Sequence, residues 1–260
     1  MNSPKRHLYI VSGSSRGLGL ALARELLASP EHQVLGIARR DNEALYGLAA
    51  STGSVLQQWR QDLAQPLPVA QALKQWLQAQ ALDRFDSLTL INNAGVVTHP
   101  GAVQDTPLAE LSSALRVGAE AALLLSAAFL DACRQVPGEL RVLNISSGLG
   151  RRAMAGTAAY CAAKAAMDHL SRAMALDEAH RASQGLKAAR IVSLAPGVID
   201  TDMQQQLRSA APGAFPDQPR FSALKAEQQL SSPAQTAAAV LRYLARPDFG
   251  EQVIADVREA

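Results

Sequence analysis

The fold of this chain is decided by residues 8–19, which read LYIVSGSSRGLG. The apolar, β-prone run at 8–11 is typical of a strand that is buried on both faces. A glycine loop follows at 12–19, and the residue pattern from Leu20 to Ala28 predicts a helix. The stretch therefore predicts a strand, a tight loop and a helix in immediate succession.

Three glycines in this loop, Gly13, Gly17 and Gly19, suit the binding of a dinucleotide. Gly13 permits the tight turn, and the other two let the backbone approach a pyrophosphate at the helix N-terminus. Their spacing is G-x-x-x-G-x-G rather than the more general G-x-G-x-x-G. A tight turn without a ligand is the alternative, but the position between a buried strand and a helix favours dinucleotide binding.

The rest of the chain repeats the alternation of strand and helix. Further strands are predicted at 34–38, 54–59, 87–91, 140–145, 189–194 and 252–255, and helices at 42–50, 69–81, 108–135, 158–181 and 233–246. This alternation predicts a doubly wound, Rossmann-type α/β fold, in which helices cover both faces of a parallel sheet of about seven strands. We expect a single domain over residues 1–260, with a substrate lid at 204–232, where prolines and a glycine interrupt the pattern.

Composition argues against several functional classes. The 260 residues carry a formal net charge of +2 with dispersed basic residues, which gives nucleic-acid binding little support. The longest apolar runs, such as 121–130, are too short to span a bilayer. Two cysteines, Cys133 and Cys161, and five scattered histidines form no disulfide framework and no metal-ligand pattern. We expect a cytoplasmic protein without a metal, a membrane or a nucleic-acid partner.

The end of the second strand predicts which dinucleotide is bound. An acidic residue about 20 positions after the loop would hold the ribose 2′-hydroxyl of NAD. Ala38 stands 19 residues after Gly19 and is followed by Arg39 and Arg40, while Arg16 lies in the loop itself. Positive charge without a carboxylate suits a 2′-phosphate and favours NADP(H); solvated surface arginines are the alternative.

Tyr160 and Lys164 are four residues apart in an alanine-rich helix and therefore share a face. A phenol titrates near pH ~10 and a neighbouring ammonium lowers that pKa, so the pair predicts an acid–base site. The same spacing also arises by chance in exposed helices. Ser147 leaves the fifth strand thirteen residues upstream of Tyr160, where its hydroxyl could hold a carbonyl oxygen against the phenol.

Other strand ends carry small or polar residues as well. The motif NNAG occupies 92–95 after strand four, and PGVIDT occupies 196–201 after strand six. Ligands of open parallel sheets bind outside the carboxyl ends of the strands. The sequence therefore predicts that these segments converge with Ser147 on one crevice.

With these motifs in this order, the chain resembles the short-chain dehydrogenase/reductase family over nearly its full length. The matching residues are Gly13, Gly17, Gly19, Asp62, Asn92, Asn93, Ala94, Gly95, Ser147, Tyr160, Lys164, Pro196, Gly197 and Thr201. The resemblance implies hydride transfer from a nicotinamide cofactor. Ser147 would orient the substrate carbonyl, Tyr160 would donate the proton, and Lys164 would hold the nicotinamide ribose and lower the pKa of the tyrosine.

The resemblance also implies which residues bind the cofactor. Asp62 would meet the adenine, Asn93 would help to shape the pocket, and Thr201 would contact the carboxamide end. The full set of predicted cofactor-binding residues is Gly13, Ser15, Arg16, Gly17, Leu18, Gly19, Arg39, Arg40, Asp62, Leu63, Asn93, Ala94, Gly95, Tyr160, Lys164, Pro196, Gly197, Val198 and Thr201.

One position departs from the family. An asparagine in the long helix before strand five usually supports a proton-relay water, and here Gly118 aligns with it. We expect glycine to leave room for a bridging water, and we expect Gly118→Asn to preserve or raise turnover.

Within the family, the stretches 90–97, 198–204 and 249–256 are most similar to sepiapterin reductase and the bacterial benzil reductases. By this resemblance Asp256 would anchor a pterin, with a surface carboxylate as an equal alternative. His99 is a further candidate for the substrate pocket, together with Ser147.

The function predicted from these observations is NADPH-dependent reduction of a ketone or 1,2-diketone carbonyl, sepiapterin- or benzil-like, with tyrosine as the proton donor. Two alternatives stay open: oxidation of a secondary alcohol with NADP+, and a catalytically weak NADP-binding regulator. By analogy with the family, the helices at 108–135 and 158–181 build a homodimer or homotetramer interface.

Overall fold

The computed structural model describes residues 5–211 and 213–259. Within these residues, seven parallel strands form one sheet in the order β3-β2-β1-β4-β5-β6-β7. The strands are β1 (His7–Ser12), β2 (His32–Ala38), β3 (Val55–Arg60), β4 (Ser87–Asn92), β5 (Glu139–Ile145), β6 (Arg190–Ala195) and β7 (Ile254–Asp256). The chain order reverses between β1 and β4, which is the point where open parallel sheets bind ligands. The predicted Rossmann-type fold is confirmed.

Helices cover both faces of the sheet. They are α1 (Gly17–Leu26), α2 (Glu43–Thr52), α3 (Pro66–Gln78), α4 (Leu108–Leu115), α5 (Ala121–Cys133), α6 (Ala158–Ser183), α7 (Asp202–Arg208), α8 (Gln218–Ala226) and α9 (Pro233–Leu244). Side chains of β1 alternate between two cores: Leu8 and Ile10 pack with α3 and α5, and Val11 packs with α1 and α9. The period of two in a strand places successive residues on opposite faces.

The predicted helix at 108–135 contains a π-helical turn. A π-helical turn, Arg116–Glu120, joins α4 to α5, and the continuous helix Leu108–Cys133 is long and apolar enough to cross a membrane by length and composition alone. This corrects the expectation that the apolar runs are too short. Half of its apolar stretch is buried inside the protein, with α5 residues such as Leu125 and Phe129 fully buried. The buried half packs in the core, and other apolar residues of the helix, such as Leu123, are exposed.

The segment predicted as an irregular lid at 204–232 is more ordered than its prolines indicate. It contains the end of α7 and the whole of α8. Phe215 is fully buried and lies 5.5 Å from the ring of Phe221. Asp200 receives hydrogen bonds from Arg208 and Lys225, which joins both helices to the segment that follows β6. Prolines therefore begin or separate helices here, and they do not prevent them.

Candidate active site

A cleft of about 490 Å³ opens where the strands end. Segments that follow β1, β2, β3, β4, β5 and β6 all contribute to its wall. Every predicted cofactor-binding residue lines this cleft except Arg40. Residues that are scattered along the chain and were predicted separately therefore lie on the wall of one cleft.

The glycine loop forms one end of the cleft. Gly13 and Gly17 have φ angles of 71° and 55°, a conformation that favours glycine. A Cβ at Gly19 would overlap the carbonyl oxygen of Gly13, so only glycine fits there. The Asn93 side chain donates to the Ser12 carbonyl at 3.0 Å and holds the loop against β4.

The N-terminus of α1 faces the cleft without a capping side chain. Arg16 stands at the cap position with extended backbone and makes no side-chain cap hydrogen bond. The first N–H groups of a helix lack intrahelical partners, and the helix dipole adds positive potential there. A Cβ at Gly17 would have only Thr201 within 4 Å, at 3.6 Å, so the backbone is open to the cleft. The loop thus fits the pyrophosphate of a dinucleotide.

The arginines predicted to select NADP(H) differ in their surroundings. Arg39 lines the cleft directly after β2, next to Ala38, whereas Arg40 does not line it. Arg16 lines the cleft too, but its guanidinium forms an ion pair with Asp202 at 2.8 Å. Of the three, Arg39 is therefore the one with a free position for a phosphate at the adenosine end.

Ser147, Tyr160 and Lys164 meet in the middle of the cleft. Ser147 follows β5, and its Oγ accepts a hydrogen bond from the N–H of Leu149 at 3.1 Å. Tyr160 and Lys164 lie one turn apart on α6, with Nζ 5.8 Å from the centre of the phenol ring. The two helix residues share a face because they are separated by four positions.

Lys164 is almost completely buried. It is 3% exposed, and its Nζ donates to the carbonyl of Ile145 at 2.6 Å. Burial lowers the pKa of Lys164 to about 8, and the nearby Asp168 carboxylate partly opposes this shift. A buried ammonium loses hydration, which disfavours the charged form.

The expected lowering of the Tyr160 pKa by Lys164 is not found. Burial raises the pKa of Tyr160, and a hydrogen bond to Ser147 opposes the rise. The physical reason is the loss of hydration of the phenol on burial, and the Nζ of Lys164 donates its hydrogen bond to the carbonyl of Ile145. Tyr160 therefore stays protonated near neutral pH and can act as a proton donor.

A buried network of amide and hydroxyl side chains connects the strands and helices that carry the site. Asn92 is 2% exposed, and its Nδ2 donates to Asn144 at 2.8 Å and to Ser126 at 3.0 Å. Asn144 in turn donates to Ser171 of α6 at 2.8 Å. These hydrogen bonds connect β4, β5, α5 and α6 in the interior, while Oδ1 of Asn92 accepts no hydrogen bond from the described residues.

Gly118 does not leave the room that the sequence led us to expect. It lies buried in the π-helical turn, and an added Cβ would stand 2.9 Å from the Cβ of Ala163. Non-bonded carbon atoms in proteins stay farther apart than this, so the added Cβ would clash with Ala163. The two helices are already closely packed here and leave no gap for it. The glycine therefore permits close contact with α6 directly beside Lys164.

Two predicted substrate residues lie outside the cleft. His99 does not line it; its side chain is 81% exposed and pairs with Glu110 at 3.1 Å. Asp256 does not line it either, and both of its carboxylate oxygens accept hydrogen bonds from Arg258. The structure thus does not bring His99 or Asp256 to Ser147 and Tyr160.

Further residues line the cleft that were not predicted from the sequence, and we call the part that they form the substrate end. They are Leu149, Arg152, Met154, Met203, Leu207, Arg220, Phe221, Leu224 and Arg258. Arg152 could have been found because it closely follows Ser147. Phe221 and Leu224 have the three-residue spacing of a helix face, but this signal is too short to be noticed between prolines.

Three comparisons with known proteins agree with this geometry. The family model for short chain dehydrogenase matches residues 7–212. Benzil reductase ((S)-benzoin forming) of Bacillus cereus is 31% identical over 96% of this chain and 98% of that protein. Sepiapterin reductase of Rattus norvegicus is 30% identical over 92% of each chain. Among solved structures, a putative NAD(P) dependent gluconate 5-dehydrogenase from Beutenbergia cavernae with bound NADP is 25% identical, with a TM-score of 0.79 over 98% of this chain and 96% of that one.

Proposed function

The chain belongs to the short-chain dehydrogenase family, as its motifs indicate, and we propose on this basis that it is an NADPH-dependent reductase of ketone or 1,2-diketone carbonyls. One observation carries the proposal: Ser147, Tyr160 and the buried Lys164 share a cleft with an open glycine loop. Benzil and sepiapterin reductases are the relatives that suggest this carbonyl class.

Each of the three side chains has a distinct role in this proposal. The Ser147 hydroxyl holds the substrate carbonyl, and the Tyr160 phenol donates a proton to its oxygen. The reduced nicotinamide, when bound, supplies the hydride to the carbonyl carbon. Lys164 as an ammonium stabilises the phenolate that Tyr160 becomes after it has donated its proton.

The protonation state of Tyr160 suits the role of a proton donor. Burial raises the pKa of Tyr160, so the phenol holds its proton near neutral pH. A protonated phenol is the form needed to reduce a carbonyl, whereas oxidation of an alcohol needs the phenolate as base. The raised pKa supports the proton-donor role of Tyr160, and the preference for reduction comes with the proposed NADPH.

The choice of NADP(H) is part of the proposal. Members of this family use NAD(P)(H), and the Beutenbergia cavernae structure contains NADP. In this chain the end of β2 carries Ala38 and Arg39 in place of a carboxylate. Arg39 would bind the 2′-phosphate, while the Gly13–Gly19 loop and the α1 N-terminus would bind the pyrophosphate.

We propose a homo-oligomer in the cytoplasm. Leucines of the helices named above as an interface are unusually exposed: Leu108 is 83% exposed, Leu123 47% and Leu176 72%. Large exposed apolar side chains on helices favour a contact with another copy. Light scattering of the purified protein measures the assembly directly.

A steady-state assay tests the enzyme proposal. Purified protein is mixed with NADPH and a panel of aromatic and aliphatic diketones, and oxidation of NADPH is followed by absorbance. We expect turnover that Tyr160→Phe lowers by about 100-fold or more, because the proton donor is removed. Tyr46→Phe, an exposed tyrosine on α2, is the matched control and should retain activity. Binding of NADPH without reduction of any carbonyl, together with an unchanged Tyr160→Phe variant, would support a regulatory protein instead.

A further inference from the structure

Asp256 and Arg258 form a fixed charge pair at the end of β7. Asp256 is 6% exposed, and its Oδ1 accepts from Nε of Arg258 at 2.8 Å while its Oδ2 accepts from Nη2 at 2.6 Å. The backbone N–H of Arg258 adds a bond to Oδ1 at 3.0 Å. Two parallel bonds of this kind fix the plane of a guanidinium. The carboxylate is therefore engaged, and the guanidinium is held in place.

Arg258 lies on the wall of the cleft. It lines the same cleft as Ser147 and Tyr160, and a Cβ at Gly197 would stand 3.8 Å from its Cδ. Its side chain is 64% exposed, and Asp256 occupies Nε and Nη2 only. A guanidinium has five N–H donors, so three are left for a ligand, two on Nη1 and one on Nη2.

Two further arginines on the wall of this cleft carry the same charge. Arg152 follows the Ser147 turn and Arg220 lies on α8, and both line the cleft. Two carboxylates line the described cleft: Asp62 lies just beyond β3, and Asp202, next to Met203, is paired with Arg16. The substrate end thus combines apolar side chains with cations and lacks a free carboxylate among the described residues.

We propose that Arg258, held by Asp256, binds an anionic group of the substrate, so that the preferred substrates are ketones that carry a carboxylate. This inference rests on the proposed carbonyl reductase function and narrows it. A carboxylate would accept hydrogen bonds from Nη1 while its keto group lies between Ser147 and Tyr160. The sequence analysis expected the negative charge of Asp256 to contact the substrate. In this proposal the positive charge of Arg258 does so instead.

Two aryl ketones that differ in one charge test the inference. Benzoylformate carries a carboxylate beside its ketone, and methyl benzoylformate carries a neutral ester in the same place. We expect the wild-type protein to prefer the acid in kcat/KM. Arg258→Gln should lower kcat/KM for the acid by about 10- to 100-fold, mainly through KM, because a charge-assisted hydrogen bond is lost. The ester and the KM for NADPH should change by less than about twofold.

Further variants separate binding from folding. Arg258→Lys keeps the charge and should recover part of the activity on the acid, and Asp256→Asn should give an intermediate loss because the guanidinium is no longer fixed. Arg242→Gln, an exposed arginine on α9 outside the cleft, controls for the change in net charge. In the presence of NADP+, benzoylformate should also raise the Tm of the wild type more than that of Arg258→Gln.

The outcomes distinguish this inference from the proposed function. Equal losses on acid and ester, or a raised KM for NADPH, would overturn the role of Arg258 in binding the substrate. Reduction of neutral diketones without a preference for the acid would reject the inference and leave the reductase proposal standing. Failure to reduce any carbonyl would reject the reductase proposal, and the Tm shift would then decide separately whether Arg258 binds the anion.

Discussion

Arg151 and Asp168 join the two segments that carry the catalytic side chains. Nε of Arg151 lies 3.3 Å from Oδ2 of Asp168, whose Oδ1 accepts from Ser193 at 2.6 Å. Asp168 is one helical turn beyond Lys164 and is 2% exposed, and Arg151 also donates to the carbonyl of Ala255 at 2.7 Å. The ion pair therefore holds the segment after Ser147 against α6, β6 and β7.

Asp168→Asn should shift the pH dependence of reduction to lower pH. The Asp168 carboxylate raises the pKa of Lys164 against the effect of burial, so its loss lets that pKa fall further below about 8. Asparagine can still accept from Ser193, so the fold should persist. The measurement is the alkaline limb of kcat/KM for NADPH, which reports the free enzyme.

Arg151→Gln should shift the alkaline limb of kcat/KM for NADPH to higher pH. Without the guanidinium, the Asp168 charge acts more strongly on Lys164 and raises its pKa. Asp177→Asn, an exposed aspartate further along α6, should leave the limb where it is. If the alkaline limb shifts in the same direction in Asp168→Asn and Arg151→Gln, or in neither, the Arg151–Asp168 ion pair contributes to stability only.

The wild-type enzyme should lose activity as the pH rises through about 8. The pKa of Lys164 is lowered to about 8 by burial, so the ammonium is present below that pH and is lost above it. The phenolate formed by Tyr160 then lacks its counter-charge. Lys164→Arg keeps a charge at all accessible pH values, so its rate, although lower, should show no such decline. A decline that persists in Lys164→Arg would assign the limb to another group.

The sequence was sufficient for those parts of the site that depend on local periodicity. The β1–loop–α1 unit follows from a strand period, a glycine spacing and a helix period within 21 residues, 8–28. Tyr160 and Lys164 follow from the helical repeat. Parallel topology then places Ser147 beside them, since strand ends meet at one edge of the sheet.

Individual side-chain contacts, both local and between distant segments, could not be predicted in this way. Nothing in the sequence around Asp256 tells that Arg258 turns back and engages both of its oxygens. The ion pair of Arg16 with Asp202 spans 186 positions. The α7 and α8 helices are short, and the residue spacing does not reveal that the rings of Phe215 and Phe221 pack 5.5 Å apart.

Arg39→Gln should weaken the preference for NADPH over NADH. Arg39 lines the cleft after β2, so its loss should lower kcat/KM for NADPH by about tenfold or more and leave NADH nearly unchanged. Arg40→Gln is the matched control, since the neighbouring residue does not line the cleft. Equal effects of the two substitutions would place the 2′-phosphate elsewhere.

Gly118→Ala should destabilise the protein although alanine is the better helix former. In an open helix the change stabilises by about 1 kcal/mol, but overpacking a tight contact costs about 1–3 kcal/mol. The added Cβ would stand 2.9 Å from Ala163, whereas at Gly47 of α2 nothing lies within 4 Å. Denaturant unfolding should therefore show a loss of stability for Gly118→Ala and a gain for Gly47→Ala. Adding Ala163→Gly to Gly118→Ala should restore the lost stability. The same second substitution should be required before Gly118→Asn can support turnover. A gain in both single variants would refute the close packing of Gly118 against the catalytic helix.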